Sequence, residues 1–150
     1  MKKAILFSIT LFCIGLAAPA QTPDKKLITA VLKNNPAAAE ALLAGGANPN
    51  AVVEVVPGMP TTCLITAVTD GSPEVVKLLL KYKAQVNQPD GFKATALMTA
   101  AGKGDQALVA LLLAAGADAR AKDGDGKDAL TLAREGGHQA VAALLAQHLK

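Results

Sequence analysis

Apolar residues fall along this chain in short blocks with helical spacing, and the blocks recur. Leu108, Val109, Leu111, Leu112 and Leu113 make a one-sided stripe, which predicts a helix with a face to bury. Thr95 to Ala101 predicts a shorter helix just before it, with a glycine turn between the two. Gly71, Gly104 and Gly137 are 33 residues apart, as are Leu79, Leu112 and Leu145, and Leu64, Leu97 and Leu130. That period selects a stacked helix-pair solenoid, in which no unit covers its own apolar stripe and each relies on its neighbours. Four units are expected, at about 24–50, 58–90, 91–123 and 124–150.

Local signals punctuate the units. Ser72-Pro73-Glu74 predicts a second-helix start, with Ser72 as cap and Pro73 at the first helical position. Gly46 and Gly116 end second helices, where a left-handed residue costs glycine little. Lys83 takes that place in the second unit, so a strained helix end costing about 1 kcal/mol is expected there. Lys26, Lys33 and Asn34 make the first unit read as a solvent-facing cap, and Leu144, Leu145, Gln147, His148 and Lys150 read as a closing second helix.

These residues resemble the ankyrin repeat family across nearly all of 21–150. The resemblance rests on Thr62-Cys63-Leu64-Ile65 and Thr95-Ala96-Leu97-Met98 as helix starts, Ala100-Ala101, and Gly137-His138 as a turn. It rests equally on Val75-Val76-Lys77-Leu78-Leu79-Leu80 as a second helix and on Gly46-Ala47-Asn48-Pro49-Asn50 as an exit. The family's helix-start Pro and His are missing from every unit, and the last unit opens Asp128-Ala129-Leu130-Thr131. The resemblance implies an all-α solenoid whose units are joined by projecting hairpin fingers, with partner proteins held by the fingers and the concave face.

Finger lengths differ. Ala84 to Leu97 and Ala117 to Leu130 are each 13 steps, whereas Ala47 to Leu64 is 17, so an elongated finger is expected at 51–61. Pro57-Gly58-Met59-Pro60 is turn chemistry, and its prolines are expected to continue neither a helix nor a sheet ladder. Val52, Val53, Val55, Val56 and Met59 are therefore expected to stand partly in water as a partner-contacting patch, the alternative being a lid folded over the first unit. Phe92 is expected near the tip of the finger at 88–93, either as an anchor or packed across neighbouring fingers. Tyr82 reads as a rim residue. Thr69, Asp70, Lys103, Arg134 and Glu135 fall at first-helix ends, which the resemblance places on the concave face; each alone also reads as an ordinary solvated residue.

Residues 1–20 change where this solenoid is expected to work. Lys2 and Lys3, an apolar Ala4 to Leu16 and a small-x-small Ala18-Pro19-Ala20 make a cleavable signal peptide, leaving a domain at 21–150. The apolar run falls short of the ~18 residues of a spanning helix, so no stable membrane anchor is expected. Export points to a periplasm or the exterior. Cleavage removes Lys2 and Lys3 and lowers the formal charge from +3 to +1, which leaves no electrostatic footprint for nucleic acid. Cys63 then stands alone, so stability must come from apolar packing with no internal disulfide.

Candidate chemistry thins out on inspection. Asp123-Gly124-Asp125-Gly126-Lys127-Asp128 has Lys and Asp where a calcium loop wants an oxygen ligand and Gly, so it reads as a finger turn. His138 and His148 lack the further ligands zinc requires. Cys63, at a helix start, could hold an eased thiolate, although half-buried packing suits it better. Gly71-Ser72-Pro73 is a cap and no nucleophile elbow, and Gly102-Lys103-Gly104 lacks the earlier Gly of a phosphate loop. No cofactor, metal or catalytic residue is assigned. The expectation is a monomeric, exported, non-enzymatic protein that binds one other protein over roughly the ~800 Å² of a standard interface side. By analogy with the family it could be an immunity or inhibitor protein against an exported toxin enzyme, or a scaffold for a periplasmic enzyme such as one in oxidative-stress defence. The competing class is a small thiol- or metal-dependent enzyme.

Overall fold

A computed structural model describes residues 22–150 of the chain; the signal peptide expected at 1–20 lies outside the described residues. Four helix pairs follow one another: α1 (Pro23–Leu32) with α2 (Pro36–Ala44), α3 (Cys63–Thr69) with α4 (Pro73–Lys81), α5 (Ala96–Lys103) with α6 (Gln106–Ala114), and α7 (Ala129–Glu135) with α8 (Gln139–His148). The first helices pack in the order α1, α3, α5, α7 to form one layer, and the second helices form the other. Leu79, Leu112 and Leu145, spaced by the repeat, are each completely buried between the layers. Burial of such a side chain contributes about 1.5–3 kcal/mol, and in a stack it depends on neighbouring units being present.

The two helix layers start differently. Thr62, Thr95 and Asp128 cap first helices from extended backbone, with ψ of 157°, 166° and 172°. Their side-chain oxygens accept from the N–H three residues on, as when Asp128 Oδ1 takes the Thr131 N–H at 2.8 Å. Second helices enter at ψ of 90° for Asn35, 80° for Ser72 and 89° for Asp105. From that backbone the longer Asn35 and Asp105 side chains still reach, at 3.0 Å each. Ser72 does not cap as expected: its hydroxyl falls one atom short and is buried without a hydrogen-bond partner among the described residues. Pro73 does hold the first helical position.

Helix ends follow the repeat. Gly46, Lys83 and Gly116 occupy equivalent exits with φ of 93°, 68° and 90°, so Lys83 carries the left-handed strain expected of it. Between the helices of a pair, Gly71, Gly104 and Gly137 are left-handed, and Asn34 fills the matching place in the first unit at φ 47°.

The elongated finger is a strand pair. β1 (Val52–Val56) runs antiparallel to β2 (Met59–Thr62), with Val52 opposite Thr62, Val53 opposite Thr61 and Glu54 opposite Pro60. A bulge between Glu54 and Val56 leaves Val55 unpaired, and Gly58 turns the chain at φ 79°. Contrary to expectation, Pro60 lies inside a ladder. A two-stranded sheet has only edges, and the Pro60 carbonyl points away from β1 to accept the Gly91 N–H at 2.9 Å, so its missing N–H falls on the side where β1 needs none.

Candidate functional site

Three fingers stand side by side. The hairpin is first, and the second docks on it through the Gly91–Pro60 bond; the third docks on the second where Gly124 N–H donates to Phe92 O at 2.8 Å. A Cβ would crowd both joints, meeting Pro60 Cδ at 3.2 Å from Gly91 and Phe92 O at 3.1 Å from Gly124. The later fingers are one turn repeated 33 residues apart. Asp90 Oδ1 accepts from the N–H groups of Phe92 (2.8 Å) and Ala94 (2.9 Å), and Asp123 Oδ1 accepts from those of Asp125 and Lys127 (both 2.9 Å). Asp123 is thus occupied as a turn former.

Strand alternation sorts the valines. Val53 faces inward and is 2% exposed, so it belongs to the core and not to the exposed patch in which it was expected. Val52 and Val56 face outward, and the bulged Val55 and the turn-flanking Met59 join them. Val53 and Ala51 cover the first units, while the other four apolar side chains face water. Phe92 is 59% exposed beside an open cleft of about 390 Å³ that runs between the second and third fingers to Asp123 and Asp125. Tyr82 is half-buried, with the Lys81 ammonium 5.6 Å from its ring centre.

Thr69, Asp70, Lys103, Arg134 and Glu135 are all exposed at the far ends of α3, α5 and α7 from the fingers. Three are tied down. Thr69 Oγ1 donates to Ile65 O at 2.8 Å, Lys103 Nζ donates to Thr69 O across neighbouring units, and Glu135 pairs with Lys127 at 2.7 Å along α7. The Glu135 hydrogen bond and charge hold the Lys127 ammonium above its ordinary range. Asp70 and Arg134 make no ion pair among the described residues.

Sequence reasoning missed the inter-unit tethers. Asn50 Oδ1 accepts the Gln85 N–H at 2.7 Å, and Asn87 Oδ1 accepts the Asp118 N–H at 2.8 Å while its Nδ2 donates to Gly116 O at 3.2 Å. The signal was present, since Asn50 and Asn87 hold the same place in successive exits once the four-residue insertion is counted.

A protein-family model described as ankyrin repeats (3 copies) matches residues 27–123. The chain belongs to the ankyrin repeat family. None of the curated proteins compared with it matches. Ankyrin repeats are generally protein–protein interaction modules and typically carry no catalysis. The fourth unit lies past the matched span yet keeps the same helix pair, with Leu145 buried where Leu79 and Leu112 are.

The reactive side chains of this ankyrin domain are absorbed by its packing. Cys63 is fully buried, not half-buried as expected, and burial together with the Asp24 charge pushes its thiol up to about 11 against the lowering effect of a hydrogen bond to its own backbone. A thiol so placed stays protonated at neutral pH. His138 Nε2 lies 2.9 Å from Gly102 O, linking the turns of the third and fourth ankyrin units, and its ring fills the space left by Gly104 and Gly136. Among the described residues no three His, Cys, Asp or Glu side chains gather as a metal site would need.

Proposed function

We propose that this ankyrin domain works outside the cytosol, after removal of residues 1–20, by gripping one partner protein with its finger row. One observation carries the reading. Six large apolar side chains are exposed among the described residues, Leu32, Val52, Val55, Val56, Met59 and Phe92, and all but Leu32 lie on fingers. A soluble domain gathers apolar side chains at projecting tips at a cost in solubility, and burying them against a partner recovers that cost. The tethered row of Pro60, Gly91, Phe92 and Gly124 holds the tips in fixed relation, so little ordering entropy is lost on binding. Thr69, Asp70, Lys103 and Glu135 supply a polar second rim for a partner large enough to reach across the first helices.

Two roles fit such a surface: an immunity or inhibitor protein that covers an exported toxin enzyme, and a scaffold that holds a periplasmic enzyme. The buried, protonated Cys63 weighs against a thiol enzyme. Affinity capture from a periplasmic extract tests the binding reading. A stoichiometric partner retained by the natural chain and lost on the triple change Val55→Ser, Val56→Ser and Met59→Ser, with unfolding unchanged, supports it. Equal capture by both chains refutes the finger row as the site.

A further inference from the structure

The direction of the β1 peptide groups follows from one hydrogen bond. Pro60 O accepts from Gly91 N–H and so points away from β1. Facing residues of an antiparallel ladder either exchange both bonds or neither, so Glu54, opposite Pro60, directs its own N–H and C=O to the outer side of β1. Alternation assigns the same direction to Val52. The Cys63 N–H bond to Ala51 O at 3.4 Å falls on the opposite, inward-bonded set, as that alternation requires. Among the described residues no hydrogen bond from outside the hairpin reaches Val52 or Glu54, whereas the outer edge of β2 is taken by the second finger. β1 is thus the open end of the finger row.

We propose that this edge takes up an extended segment of the partner protein as an added strand, with a basic residue opposite Glu54 and an aliphatic residue opposite Val52. The proposal rests on the protein-binding reading and names the chemistry of what is bound. Two peptide groups in register supply the backbone bonds, and strand addition draws its affinity from such bonds and its selectivity from alternate side chains. Glu54 is exposed and has no ion-pair partner among the described residues, so it selects the sign of the residue facing it. Val52, on the same outward face, selects an apolar neighbour two residues away. The same charge disfavours a second copy of this chain, because pairing β1 along its full length with its own copy sets Glu54 against Glu54.

The test uses the ¹⁵N-labelled protein and three synthetic peptides: Ser-Val-Thr-Lys-Thr-Val-Ser, the same peptide with Glu for Lys, and the Lys peptide N-methylated on its Lys and Val amides. Saturable shifts with slowed amide exchange at Val52 and Glu54 are expected for the Lys peptide. Its affinity should exceed that of the Glu peptide roughly tenfold, the sum of gaining an opposite and losing a like charge across a strand pair. The N-methylated peptide should not bind, and Glu54→Lys should reverse the preference with unfolding unchanged. Equal binding of Lys and Glu peptides, or unaltered exchange at Val52 and Glu54 with every peptide, overturns the proposal. Slowed exchange that grows with protein concentration alone also overturns it and identifies a second copy as the occupant. Shifts confined to Val55, Met59 or Phe92 overturn strand addition while leaving side-chain binding by the fingers standing.

Discussion

Val53 and Val55 are two residues apart on one strand, yet they should respond oppositely to the same substitution. Val53 is 2% exposed and packs into the core, and Val55 is 60% exposed on the bulge. Val53→Ser removes apolar burial worth about 1.5–2.5 kcal/mol and buries a hydroxyl at a further ~1–3 kcal/mol unless it finds a partner. Val55→Ser exposes nothing new and should stay within about 0.5 kcal/mol of the natural chain. With a melting shift of roughly 2–4 °C per kcal/mol for a domain of this size, Val53→Ser should lower the midpoint by about 5–22 °C and Val55→Ser by less than about 2 °C. Urea unfolding followed by circular dichroism gives the same contrast as a change in midpoint at constant slope. A harmless Val53→Ser paired with a damaging Val55→Ser would falsify the hairpin register, since a slip of one residue exchanges the two faces of β1.

Leu112→Ala, at a fully buried position shared by two layers, should cost about 2–5 kcal/mol in urea unfolding; a cost near zero contradicts the repeat register. Gly104→Ala forces a side chain onto φ 73° and drives its Cβ into the His138 ring, so it should destabilise by at least about 1 kcal/mol, and less in a His138→Ala background. Equal costs in the two backgrounds would remove the His138 contact from the explanation. The Cys63 thiol titrates near 11 when folded against 9.0 when free, so the unfolded chain ionises first. Stability from this group is whole below pH 9 and is lost as pH rises from about 9 to about 11, by at most about 3 kcal/mol, and Cys63→Ala should flatten that alkaline fall. Native Cys63 should also resist a thiol reagent at pH 8 until denaturant is added; immediate labelling contradicts its burial.

The stack was legible because its signals repeat. Gly71, Gly104 and Gly137 mark turns that need left-handed backbone, and Leu79, Leu112 and Leu145 mark the buried stripe, so each unit checks the others. The hairpin occurs once and has no such check. Val-Val-Glu-Val-Val does not alternate cleanly because of its bulge, and Pro60 argues against a strand until the second finger is seen to face its carbonyl. The same irregularity groups Val53 with its exposed neighbours when the sequence is read alone. Ser72 misled because cap preference depends on entry angle, and at ψ 80° a serine hydroxyl does not reach where Asn35 and Asp105 do. Phe92 was placed at a tip and stands there exposed, since a polar six-residue turn offers nothing to bury it. The tethers of Asn50 and Asn87 escaped notice because an Asn in a loop usually bonds its own backbone, and these reach the next unit instead.

Hydrogen exchange on the complex with a captured partner most directly tests whether the stack exists to present its fingers. Protection is expected at residues 52–60 and 90–93, with α2, α4, α6 and α8 exchanging as in the free chain. Protection confined to those second helices, with the fingers unaltered, would contradict it.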